Sequence, residues 1–219
     1  MKTCLTLWLA PLLGAGLLAA TPEDPMFQRK FTWVDSSDPV VSDIRRVGEA
    51  MIQKVGNNLI SEVHRVVGTK GPEAGIDLLH LKQLPLPAGQ PGQPRVTAIK
   101  RTSLKVRSPA NLPDNADLAA LMSIHSALAE GDTPPKVLVQ QLAAEGSAPA
   151  EWRVYRPIVT SAACLVCHGP ADTLEPGVKA KLERLYPGDK ATNYDSNEWR
   201  GVIRISIIAF LETSAVPKK

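Results

Sequence analysis

Cysteine is scarce in this chain. The 219 residues hold three, and Cys4 lies in an apolar leader, so two remain for everything after it. A structural zinc site needs four ligands, usually from two cysteine pairs, and there is no second pair. A surplus of one charge is also missing. Lys and Arg number 25 against 22 Asp and Glu, a formal charge of +3. That gives no electrostatic case for nucleic acid or an anionic membrane surface as a partner. Long hydrophobic runs are absent after residue 20, and no internal repeat is visible.

What is present begins with the leader. Residues 1–20, MKTCLTLWLAPLLGAGLLAA, combine Lys2, an apolar stretch and the small pair Ala19-Ala20. This is the pattern of a secretory signal peptide, too short and too lightly flanked for a permanent transmembrane helix. Its removal takes away Lys2 and leaves a formal +2. The mature protein is expected to be periplasmic or otherwise exported, with no stable membrane span. The remainder, in a chain 44% hydrophobic and 21% charged, suits one globular domain. Residues 21–41 contain three prolines and no clear period, and read as an extended lead-in to a single domain over 42–219.

Both remaining cysteines fall in Cys164-Leu165-Val166-Cys167-His168. This is the C-x-x-C-H pattern of covalent c-type haem attachment. Two thiols add across the two vinyl groups of a haem and leave two thioether bonds. Two intervening residues let the sulfurs span the porphyrin edge within about one helical turn, and the next residue can place an imidazole nitrogen on the iron. A Cys164–Cys167 disulfide gives His168 no role. A thioredoxin-like motif starts a helix in a βαβ pattern, which the downstream sequence lacks. The expectation is one covalent haem c on Cys164 and Cys167, with His168 as axial ligand.

The flanking sequence alternates helical and strand signals. Ser42 or Asp43 caps a helix of about 25 residues whose apolar positions Ile44, Val47, Met51, Val55, Leu59, Val63 and Val66 share one face. His64 points away from that face. Gly68 and Gly71 end the helix, and Pro72 opens a second, shorter one to Leu81. LPLPAGQPGQPR is a surface loop. Residues 95–107 read as a strand or hairpin arm. Asp114 or Asn115 caps a third helix, about 116–130, with His125 on the same face as Leu118, Leu121 and Leu128. Strands are expected over 136–142 and 151–159, a helix over 175–185, and a strong strand over 198–211. Helices at the front, strands at the back and short connections argue for α+β with an antiparallel sheet.

Three blocks carry a family resemblance: IKRTSLKVRSPANLPDN, YRPIVTSAACLVCHG and YPGDKATNYDSNEWRGVIRISI. Together they span residues 99–208, and their combination resembles the DUF3365, or Tll0287-like, family of haem-binding domains. The resemblance implies an exported c-type haem protein with a PAS-like sheet flanked by helices. Cys164, Cys167 and His168 carry over. Relatives can use a front-helix cysteine as second iron ligand. Here Leu79 stands at the matching place and no mature cysteine lies outside the motif. The adjacent His80 is the leading candidate for that ligand. His125, a methionine (Met26, Met51 or Met122) and an open position stay as alternatives.

Iron with both axial positions filled suits one-electron transfer, which requires a redox partner protein. The alternative is a redox or gas sensor for NO, CO or O₂, acting through a partner chain. A peroxidase-like enzyme lacks a distal Arg/His pair recognisable from spacing, so enzyme activity is not expected. Arg101, Lys105 and Arg107 stand near the turn of the first resembling block. They are either a solvated strand face or partners for a haem propionate, with Arg101 and Arg107 taken as cofactor-binding candidates.

Overall fold

The computed structural model describes residues 28–81, 85–89 and 91–209, without the side chains of His80 and Leu81. The leader and Met26 lie outside the described residues. Among those described, no helix is long and apolar enough to cross a membrane.

The chain opens with strand β1 (Phe31–Val34), then helices α1 (Ser42–Lys70) and α2 (Pro72–Leu81), and strand β2 (Arg95–Thr102). Helix α3 (Asn115–Ala129) leads to strands β3 (Leu138–Leu142) and β4 (Glu151–Val159). The short helix α4 (Leu165–His168), helix α5 (Pro176–Leu185) and strand β5 (Trp199–Ile208) close the fold. The five strands form one antiparallel sheet in the order β1-β3-β4-β5-β2. Helices flank it, so the α+β expectation is met.

Strand alternation sorts the sheet into two faces. Trp152 and Val154 of β4 and Ile203, Ile205 and Ile207 of β5 point to one face and join Ile44 and Ile52 of α1 in the main core. Gly48 makes the close approach of α1 possible. A Cβ there would lie 2.5 Å from Cβ of Val154. Gly68 stays within the helix, and Gly71, at φ +83°, ends it.

The opposite face carries Tyr155 and Val202, which pack under Ala120, Leu121 and Ile124 of α3. Between these lies a buried ionic cluster. Asp117 of α3 is fully buried and faces Lys100 Nζ at 3.0 Å, Arg204 Nη1 at 3.0 Å and Arg153 Nη1 at 3.3 Å. Asp114 caps α3 by accepting from the Asp117 amide and also pairs with Arg153 at 2.7 Å. Burial pushes the Asp117 carboxyl up, but Arg204, Arg153 and Lys100 outweigh it and hold the group below its ordinary 3.8. Burial likewise raises the Glu151 carboxyl, and Arg153 overrides it to leave the group below 4.5.

Two expectations change. Part of the lead-in is strand β1, paired with β3 at the sheet edge, so the domain takes in residues before 42. Four residues are too few for a legible period. His125 is exposed, stacked on Trp199 with ring centroids 6.4 Å apart, and its expected companions Leu118 and Leu128 are 44% and 40% exposed. The buried stripe of α3 runs instead through Ala116, Asp117, Ala120, Leu121 and Ile124. Small alanines let the helix sit close, and the partnered Asp117 turns inward where a hydropathy count places it outward.

Gly48→Ala forces α1 away from Val154 and is expected to cost about 1–3 kcal/mol in denaturant unfolding, as overpacking does. Asp117→Asn leaves two buried arginines and the half-buried Lys100 without their shared anion, an expected loss of about 3–5 kcal/mol. The folded-state values of Asp117 and Glu151 lie below their unfolded values, so the unfolded chain binds more protons in acid. Stability from these groups is therefore present above about pH 4.5 and lost as pH falls further. An unfolding series from pH 7 to 3 checks this, and Asp117→Asn should flatten the acid limb.

Candidate functional site

Strand β4 runs directly into the C-x-x-C-H segment. A single helical turn, Ala162–Cys164, leads into α4, which ends on His168. Both thiols are free. Cys164 Sγ lies 3.3 Å from the Ser161 amide nitrogen and 3.3 Å from Ser161 Oγ. Cys167 packs against a separate small core made by Ile76 of α2, Val178 and Leu182 of α5 and the following Tyr186. Burial pushes its thiol pKa up, and Arg107 partly offsets this.

His168 is the most constrained residue of the segment. Its Nδ1 lies 2.7 Å from the carbonyl oxygen of Ala191. A carbonyl only accepts, so Nδ1 carries the proton and Nε2 keeps its lone pair. Burial, then the charges of Arg107 and Arg200, push the imidazole down to about 3. The ring is therefore neutral through the physiological range. A neutral imidazole with one nitrogen anchored to a carbonyl is the form that ligates a metal.

The loop after α5 supplies the anchor. It lies between the 105–107 segment and the motif. Lys190 N donates to Val106 O at 3.0 Å, Asn193 N to Gly169 O at 2.9 Å, and Tyr194 N to His168 O at 3.0 Å. Tyr194 also stands edge-on to the His168 ring, with centroids 6.3 Å apart. Arg107 ties the same pieces together. Its Nε donates to Asp189 Oδ2 at 2.8 Å, and its Nη2 to Cys167 O at 2.5 Å and Ala191 O at 3.3 Å.

The candidates of the first resembling block thus separate. The strand ends at Thr102, and Ser103 Oγ accepts from the Lys105 amide at 3.0 Å to turn the chain. Lys105 Nζ then sits 4.0 Å above the Tyr194 ring. Arg107 spends its donors on the protein. Arg101 is half-buried and has no hydrogen bond or ion pair among the described residues. Arg101, Lys105 and Arg107 are half-buried rather than fully solvated, and the charges of Arg107, Arg200 and Arg101 all act on the half-buried His168.

His80 lies in α2, one turn beyond Ile76, in the helix that packs beside α4 and α5. Its side chain lies outside the described residues. His125 and Trp199 belong to the α3 layer. Met122 is exposed on that same helix, and Met51 packs against the main core. His64 is exposed, as its helical phase implied. Arg200, Tyr194, Asp189 and the Ala191 carbonyl were not singled out from the sequence. All four fall in YPGDKATNYDSNEWRG, where only their chemistry beside the motif histidine could have marked them.

Arg107→Gln removes the partner of the half-buried Asp189 and two carbonyl contacts at once. We expect a loss of about 3 kcal/mol or more and faster amide hydrogen exchange at Gly169, Asn193 and Tyr194. Unchanged exchange there would show that Arg107 does not clamp the segment.

No curated protein matches the chain. Among solved structures, the crystal structure of the cyanobacterial heme-protein Tll0287 matches at 20% identity with a TM-score of 0.39, covering 51% of this chain and 61% of that one. The chain thus spans less than two thirds of that protein's length. A family model described as Tll0287-like matches residues 89–207, a stretch that takes in four of the five strands, both motif cysteines, His168 and the arginines around it. By that match over more than half of its length, this chain belongs to the Tll0287-like family.

Proposed function

We propose that the protein is an exported haem protein that carries one covalent haem c and works in one-electron transfer with a redox partner protein. The observation that carries this is His168. Its ring is held neutral, its Nδ1–H is committed to the Ala191 carbonyl, and it follows two free thiols at C-x-x-C spacing. The residues present fit the group. Cys164 and Cys167 would hold it by thioethers, His168 would ligate the iron through Nε2, and His80 would serve as its second protein ligand. When bound, the haem supplies a one-electron ferric–ferrous couple.

The chain's own residues do the rest. Arg107 and the 189–194 loop fix the height and tilt of the imidazole. Burial, helped by the charges of Arg107 and Arg200, keeps a proton off His168, so ligation would not compete with protonation near neutral pH. Those charges would also favour the reduced, less positive iron of a bound haem and raise its potential. Tyr186, Leu182 and Ile76 form an apolar wall beside Cys167 that excludes water from this side. Export rests on residues 1–20 and supplies the compartment in which c-type haem is attached.

Expression with haem-maturation machinery should give a protein whose denatured mass includes one haem and whose colour survives acid-acetone extraction. Colour lost to the solvent would sink the covalent reading. Cys164→Ala or Cys167→Ala should sharply reduce attachment. In the holoprotein, electron paramagnetic resonance should give a low-spin ferric signal that added NO or cyanide leaves unchanged. A signal displaced by NO would favour a gas sensor. His80→Ala should turn the iron high-spin and His125→Ala should not. The reverse pattern would give the axial position to His125.

A further inference from the structure

We propose that Arg101 and Arg200 form a carboxylate-binding pair, and that they take the two acid side chains at the edge of the bound tetrapyrrole. This rests on the haem reading above and names the residues that hold the group's polar edge.

The placement of Arg200 is the first argument. Strand β5 pairs with β4 as Ile158↔Gly201 and then Val159↔Trp199, so Arg200 is the extra residue of a β-bulge. Without the bulge, alternation would turn Arg200 to the face of Val202 and Arg204, under α3. The extra residue reverses its direction, and its Nη1 instead reaches Ser103 Oγ at 2.6 Å and Lys105 O at 3.0 Å, beside Tyr194. Gly201 makes this local course possible. Its φ is +148°, and a Cβ there would meet the carbonyl oxygen of Thr102. Arg101 stands opposite Ile203 in the β2–β5 register, and so on the same α1-facing side of the sheet.

The second argument is the missing anion. Arg107 takes Asp189. Arg200 bonds neutral oxygens, and Arg101 bonds none among the described residues. Burial, then repulsion from Arg200, lowers the pKa of Arg101, and burial lowers that of Arg200. Two half-buried guanidiniums that repel each other beside a histidine poised for iron are complementary to a pair of carboxylates. Each guanidinium fork matches one carboxylate.

The test uses the haem-loaded protein and two readouts, the midpoint potential and the propionate-bending bands in resonance Raman spectra. Arg101→Gln and Arg200→Gln should each lower the potential and shift a propionate band. Arg101→Lys and Arg200→Lys should keep the potential near the parent value and still shift the band, because lysine holds the charge without the fork. A fall in potential with unmoved bands would overturn the contact, since any nearby charge moves the potential. Unmoved bands and unmoved potential overturn it as well. If the glutamine variants do not fold, the lysine variants give the same band readout. A shift that inorganic phosphate reproduces in the parent at moderate concentration would assign the pair to a solvent anion and overturn the haem assignment. A parent without thioether-bound haem refutes the haem reading itself, whereas a haem-bearing parent with insensitive bands refutes the arginine pair alone.

Discussion

One carboxylate decides how the two layers of this protein meet. Asp117 is fully buried on α3 and faces cations from three strands: Lys100 of β2, Arg153 of β4 and Arg204 of β5. Tyr155 also donates to it, while Gln140 accepts from the same hydroxyl and ties to the α3 backbone at Ala116. A buried carboxylate is costly unless its lone pairs and charge are met, and here both are. The geometry therefore fixes where α3 lies along the sheet and which of its faces turns inward. It also fills that side of the sheet with paired charge. A ligand cannot enter there without breaking ion pairs, so a binding site has to form elsewhere.

It forms beyond the strand ends. The motif leaves β4 as a short helical turn, too short to hold itself in place, because an isolated turn closes few hydrogen bonds for the dihedrals it fixes. Its rigidity is borrowed. The 189–194 loop runs beside it, Arg107 bonds across both, and α2 and α5 pack against Cys167. The same contacts set the tautomer of His168. Segments far apart in the chain thus converge on one imidazole, and the sheet serves mainly to bring their ends together.

Much of this was legible in the sequence because it depends on period and spacing. The helix from Pro72 to Leu81 runs as its opening proline and apolar pattern predict, and Asp114 caps α3 as the local D-N-A-D signal suggests. C-x-x-C-H marked where Cys164, Cys167 and His168 come together at the end of β4. What was not legible depends on tertiary partners. The inward turn of Asp117 contradicts its hydropathy and is explained only by cations from β2, β4 and β5. His125 was assigned to the wrong side because leucines outweighed alanines in the pattern, yet small residues make the closer contact. The strand Phe31–Val34 was too short to show a period. Arg200 reaches the site only through a bulge, and no pattern in a single sequence separates a bulged residue from its neighbours.

The two groups of charges make a final comparison possible, because the same strands supply both. Adjacent residues of β2, Lys100 and Arg101, point to opposite faces, and so do Arg204 and the bulged Arg200 of β5. On the α3 face the described cations meet carboxylates: Arg29 meets Glu151, Arg153 meets Asp114 and Glu151, and Lys100 and Arg204 meet Asp117. On the other side, beside the motif, Arg107 does so through Asp189. Lys105 lies over the Tyr194 ring, Arg200 bonds neutral oxygens, and Arg101 has no hydrogen bond or ion pair among the described residues. If folding alone had required arginine at these places, the fold would be expected to neutralise both faces in the same way, since an unpaired half-buried charge carries a cost. It neutralises the α3 face and leaves Arg101 and Arg200, beside the motif histidine, without a carboxylate among the described residues. That asymmetry supports the proposal that the missing charge arrives with a ligand, whose acid edge would then lie between β2 and the start of β5.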